Sequence, residues 1–126
     1  MTACVAEEYA ETLLKVIGEI QEIYADNCEN AKQCELETMD LLHQLELQDK
    51  IKLYDGYFIA KKLRELRKQR RKYKDENLTL YFLNQFVENN PQFKNALIKV
   101  KENIKKKQRD MENRRYTPKA QQGEGA

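Results

Sequence analysis

Nine of the fourteen residues from Lys61 to Lys74 are Lys or Arg. At 100° per residue a helix gathers Lys61, Arg64, Lys68, Arg71 and Lys72 within about a third of its circumference, on the side away from Leu63 and Leu66. A stripe of that kind binds anions by Coulomb attraction. It tracks phosphates with counterion release supplying most of the affinity, or it meets the carboxylates of an acidic protein surface. A second basic cluster follows at Lys99, Lys101, Lys105, Lys106, Lys107, Arg109, Arg114 and Arg115. Lys105, Lys106, Arg109, Arg114 and Arg115 complete the candidate nucleic-acid or acidic-partner site. The competing reading is a face that is merely solvated or neutralised within the molecule. Residues 1 to 50 hold twelve Asp or Glu against three Lys, and residues 51 to 126 hold twenty Lys or Arg against nine acids. The N-terminal acids are therefore available to pair with the basic part.

Other chemistries find no support in the residues. His43 is the single histidine and sits beside Leu41, Leu42 and Leu45, and the chain contains no Ser, so no triad is expected. Cys28 and Cys34 are six apart with no histidine on a shared helical face, and Cys4 leaves an odd count. Neither a metal site nor a disulfide framework is expected, and no cofactor. Without a secretory leader or a lipidation signal, and with no apolar run of the roughly 18 to 20 residues a membrane span needs, the expectation is a cytoplasmic protein with no membrane partner.

The elements that must carry the basic residues are helical, because Glu, Lys, Leu, Gln and Arg abound while only two prolines and four glycines occur. Tyr9, Leu13, Val16, Ile20 and Ile23 recur at spacings of 4 and 3 and predict an inward stripe on a helix over residues 4–26. Asp26-Asn27 and the polar run to Gln33 read as a break. Leu36, Met39, Leu42 and Leu45 then predict a shorter helix to about residue 48, with Cys34 and Met39 as packing residues.

The strongest period is later in the chain. Ile59, Leu63, Leu66, Arg70, Tyr73, Asn77, Leu80, Asn84 and Val87 keep a strict 4, 3 alternation over four heptads. Asp75-Glu76-Asn77 could continue this helix or restart it. Asn90-Pro91 supplies a new helix start, and Phe93, Leu97, Val100, Ile104, Lys107 and Met111 resume the alternation. A turn at residues 89–91 predicts that the two helices fold back on each other, with Arg70 facing Met111 and Tyr73 facing Lys107. Leu78 to Val87 is apolar nearly all round and is expected to be covered by the first helix. Arg70, Asn77 and Asn84 interrupt the seam with polar groups. Arg70 either reaches Glu112 or an acid of the first helices, or fixes register and partner choice, and the two asparagines carry the same alternatives.

The segment from Leu63 to Asp75, with the ending Glu112-Asn113-Arg114-Arg115-Tyr116-Thr117-Pro118-Lys119, resembles small helical accessory proteins of bacteriophages and prophages of Gram-positive bacteria. The likeness covers about residues 36–119. It implies a protein that occludes a host or defence protein, CRISPR nucleases among them, and it brings no site residues with it. The expected architecture is all-α: a helical bundle built on a long antiparallel coiled-coil-like hairpin at about 53–114, with two shorter acidic N-terminal helices over about 4–48. These form a single domain over 1–115, and residues 116–126 are expected to be a disordered tail. The expected function is non-catalytic binding that inhibits or modulates a host or phage protein, such as a nucleic-acid enzyme whose basic groove the acidic N-terminal helices meet. Direct binding of DNA or RNA by the basic hairpin, and homodimer or higher coiled-coil assembly, are the alternatives.

Overall fold

A computed structural model describes residues 4–114, so the expected tail at 116–126 lies outside the described residues. Three helices account for nearly all of the described chain: α1, Val5–Glu46; α2, Leu53–Asn89; and α3, Pro91–Glu112. The all-α expectation stands. The described residues fall into two compact units, one of Lys15–Pro91 and the other of residues 4–14 together with residues 92–114.

The two expected N-terminal helices are a single helix. No break occurs at Asp26–Gln33, because Asn27 does not cap a helix end there: its side chain is buried and its amide donates to Asn77 Oδ1 at 2.9 Å. In the larger unit α1 and α2 run antiparallel, joined through residues 47–52. Arg70 bonds Glu35 and Cys34 approaches Gln69, while Asn77 bonds the Tyr24 carbonyl and Asn27. These pairs set the register of the unit. The α2 seam is thus filled from α1, and the expected pairing of Arg70 with Met111 gives way to Arg70 with Glu35.

On α2 every expected seam residue is at least half-buried, from Ile59 through Arg70 and Asn77 to Val87, and the helix runs unbroken through Asp75–Asn77. On α1 the inward residues of this unit include Ile17, Gln21, Tyr24, Asn27, Ala31, Cys34, Thr38, Leu41 and Leu45, flanked by half-buried Gly18, Glu35 and, as expected, Ile20. Their spacing alternates 4 and 3 except across Tyr24, where two threes follow one another, a slip that locally overwinds a seam. Tyr9, Leu13, Val16 and Ile23 are exposed instead of inward, as are Leu36, Met39 and Leu42. In its middle, from Asn27 to Thr38, the seam of α1 uses small and polar residues, and Val16, Ile23, Met39 and Leu42 lie one position away from seam residues.

Leu78, Tyr81, Phe82, Leu83 and Phe86 are exposed as well, so the apolar stretch of α2 is covered on its seam side only. Pro91 opens α3 as expected, while Asn90 serves the preceding helix, donating from Nδ2 to the Phe86 carbonyl at 2.8 Å.

In the smaller unit the first turns of α1 meet α3 through Lys101 with Glu11 at 3.3 Å and Lys105 with Glu7 at 3.8 Å. The inward residues of α3 are Leu97, Lys101, Ile104 and Gln108. Leu97 and Ile104 match the expected stripe. Phe93, Val100, Lys107 and Met111 do not, because the phase is set by the lysines that reach the acids of α1.

Candidate functional site

The outward basic stripe of α2 follows directly from the seam. Once Leu63, Leu66 and Arg70 turn towards α1, helical geometry sends Arg64, Lys68 and Arg71 to the far side. Lys61, Arg64, Arg67, Lys68, Arg71 and Lys72 are all exposed, and among the described residues none of them forms an ion pair. Arg64, Arg67, Lys68 and Arg71 border one shallow depression. Four positive groups repeated at helical spacing create an open electropositive track, because among the described residues no carboxylate is ion-paired with them.

The bases nearer the seam behave differently. Arg70 Nε donates to Glu35 Oε1 at 2.7 Å, and Lys74 Nζ lies 3.3 Å from the same oxygen. Glu35 therefore holds two cations at once. The Arg70 guanidinium bonded to it, with Lys74 beside it, holds the Glu35 carboxyl below its ordinary range. Of the readings open for Arg70, the structure shows the pairing with an acid of the N-terminal part. Because the folded value is depressed, the contribution of this pair is fully present above the ordinary carboxylate pKa and is lost as pH falls through the folded value. Glu35→Gln is expected to weaken urea resistance at neutral pH, and its deficit against the native chain is expected to shrink on acidification to about pH 3. Parallel urea titrations across that range check it.

In the second cluster Lys105 is paired with Glu7, while Lys106, Arg109 and Arg114 are exposed. Arg115 lies outside the described residues. The two basic clusters belong to different units. Neutralisation by the acidic part is thus selective: Arg70, Lys74, Lys101 and Lys105 are paired, and the outward stripe is open.

The polar seam residues divide in the same way. Asn77 crosses to α1, accepting from Asn27 and donating to the Tyr24 carbonyl at 3.0 Å and towards Cys28 Sγ at 3.3 Å. Asn84 is buried and donates along its own helix to Glu88 at 3.1 Å. Among the described residues no buried side-chain nitrogen or oxygen lacks a partner.

Beside these groups the helices of the larger unit enclose a groove of about 800 Å³. Tyr24, Cys28, Lys32 and Glu35 form one wall, and Lys74, Leu78, Tyr81 and Phe82 the other. Tyr81 and Phe82 meet edge to face, with ring centroids 5.7 Å apart. The groove sets the apolar side chains of Leu78, Tyr81 and Phe82 beside Lys32 and the Glu35–Lys74 pair, a composition that suits a macromolecular segment carrying apolar anchors and charged groups. It was absent from the sequence reading, which placed Leu78, Tyr81 and Phe82 in a covered core. Their signal was available: all three lie off the 4, 3 seam. Glu35 carried no signal of its own, since only the register of α1 on α2 selects it.

Compared with known proteins, the chain matches no protein family, no curated protein and no solved structure.

Proposed function

We propose that this chain is a non-catalytic binding protein whose working surface is the exposed face of α2, and that its target is an acidic segment of another protein. The observation that carries this reading is the coexistence on one helix of cations that form no ion pair among the described residues, Arg64, Arg67, Lys68 and Arg71, and exposed apolar side chains, Leu78, Tyr81 and Phe82. Exposed apolar groups of this size mark a surface that another macromolecule covers, and the neighbouring charges select one bearing carboxylates. Occlusion of a host or defence protein in a bacterial cytoplasm, the role implied by the likeness to phage and prophage accessory proteins, is consistent with such a surface. Among the described residues no helix is long and apolar enough to cross a membrane.

A second reading is supported by the same open stripe. Exposed cations in a row that form no ion pair among the described residues also fit a phosphate backbone, with DNA or RNA as the ligand.

Affinity capture with the tagged full chain from a Gram-positive bacterial lysate, with and without nuclease and at two salt concentrations, separates the two. A defined protein that is retained after nuclease supports the protein target. Loss of all captured protein on nuclease treatment, with nucleic acid recovered from the untreated sample, transfers the assignment to nucleic acid.

A further inference from the structure

In the larger unit the two helices carry charge of opposite sign on the faces they turn away from each other. On α1, Glu19, Glu22, Asp26 and Glu29 are exposed and fall within about 80° of the circumference, roughly opposite the seam residues Gln21, Tyr24 and Asn27. Between Lys15 and His43 the one base of α1 is Lys32, which borders the groove instead. On α2, Lys61, Arg64, Lys68 and Arg71 are exposed within an arc of about the same width, roughly opposite Leu63, Leu66 and Arg70. Glu19 lies 3.8 Å from Lys15, while Glu22, Asp26, Glu29 and all four bases form no ion pair among the described residues. Like charges three and four positions apart repel along each helix, and a surface of opposite sign relieves that repulsion on both faces at once. The two strips also share a spacing, since each steps 3, 4, 3. Laid antiparallel, Glu19 meets Arg71, Glu22 meets Lys68, Asp26 meets Arg64 and Glu29 meets Lys61. Four positions beyond, both strips change sign together: exposed Lys15 meets exposed Asp75. A parallel arrangement keeps the four inner matches but sets Lys15 against Tyr57 and Asp75 against Gln33.

We propose that α1 of one copy of this chain docks by its acidic face on the basic face of α2 of a second copy, antiparallel and in the register that sets Asp26 against Arg64. The inference rests on the reading of the α2 stripe as a surface for carboxylates, and it gives that stripe a second occupant. Antiparallel alignment also sets the helix dipoles favourably. Within one molecule the two faces point in opposite directions, so the contact is heterologous. A copy that offers its α1 still presents its own α2 stripe to the next, and assembly is an open row instead of a closed dimer. Exposed charge pairs are individually weak and are screened by salt. The row is therefore short and concentration-dependent, and it gives up the stripe to a target that binds more tightly.

Sedimentation equilibrium of the full chain tests this. At ~20 mM salt the average mass is expected to rise above 15.0 kDa as the concentration passes ~50 µM, and at ~0.5 M salt, where the screening length is about 4 Å, to return to 15.0 kDa. A mass of 15.0 kDa at every concentration up to ~500 µM in low salt overturns the proposal. Asp26→Arg and Arg64→Asp are each expected to weaken the association by about tenfold, because each sets like charge on like. Together in one chain they exchange signs across the contact and should restore it. In the parallel arrangement the changed residues would face Lys68 and Glu22, and the combined chain would associate more weakly than either single variant. Failure of the combined chain to recover therefore rejects the register and the proposal with it. Asp26→Arg leaves the α2 stripe intact, so its capture of a target from lysate is expected to match that of the native chain. A native chain that captures a target yet stays at 15.0 kDa overturns self-docking alone. Self-association with restoration by the paired change, but with no captured target, supports this contact and removes the proposed function.

Discussion

Asn27→Leu is expected to lower the stability of the chain by about 1–3 kcal/mol. The loss arises at Asn77, whose side-chain oxygen accepts the Asn27 amide proton at 2.9 Å and would be left without that donor on a half-buried seam. The paired change Asn27→Leu with Asn77→Leu should behave in the opposite way. It removes donor and acceptor together and puts two apolar side chains where the α1 and α2 seams meet, so stability should return to the native level or exceed it. The coupling in a double-mutant cycle is expected at about 1–2 kcal/mol, well above what separated sites give. Specificity should move in the other direction. Asn77 also bonds the Tyr24 carbonyl, and a polar cross-seam contact of this kind penalises every sliding of α1 along α2. The all-leucine seam should therefore be more stable and less unique, seen as a higher urea midpoint together with broadened amide resonances. A double variant less stable than either single one would show that the asparagines contribute net energy in addition to register.

Reversing Arg64, Lys68, Arg71 and Lys72 to Glu is expected to reduce binding to the captured target by about a hundredfold or more, with helix content unchanged. All four side chains are exposed and make no ion pair among the described residues, so nothing in the fold opposes the change. Lys105→Glu is the internal contrast. That lysine is already paired with Glu7, so its reversal should disturb the smaller unit more than it disturbs the target. The ionic-strength dependence then separates the target classes. Nucleic acid held by four contacts would give a salt slope of roughly −3 to −4 on logarithmic axes, which the reversal would abolish. A protein target anchored by Leu78, Tyr81 and Phe82 would give a shallower slope, and Phe82→Ala would reduce its binding by about tenfold or more. Retention of binding by the four-site variant would remove α2 as the working surface.

How much of this was legible depends on what each helix uses for its seam. On α2 the seam is built from Ile59, Leu63, Leu66, Leu80 and Val87 at unbroken heptad spacing, and both the seam and the helix bounds could be read directly. Pro91 marked the start of α3 for the same local reason: its ring fits only the first turn. On α1 the inward positions are filled by Ala31, Cys34, Thr38 and Asn27, residues chosen for size and hydrogen bonding, which carry little periodic signal. Tyr9, Leu13, Val16, Ile20 and Ile23 gave the more regular stripe, of which only Ile20 is half-buried and the other four are exposed. The Asp26-Asn27 pair and the polar run to Gln33 resembled a helix break, when the Asn27 amide is committed to a residue fifty positions away. Candidate site residues followed the same rule. The outward bases needed only the α2 phase to be placed. The pairing of Arg70 with Glu35 required the register between two helices, a property of their packing that neither helix displays alone.

The distribution of thiols along α1 provides a built-in probe of how often the two long helices part. Cys34 is buried against Gln69 in the seam, and Cys28, less than two turns away, is exposed. With an aromatic disulfide reagent, Cys28 reacts in the closed molecule, whereas Cys34 must wait for α1 to lift from α2. Their relative labelling rates, followed site by site, therefore report the opening equilibrium of this pair of helices in the unmodified chain. A ligand that bridges α1 and α2 would slow Cys34 without having to touch it.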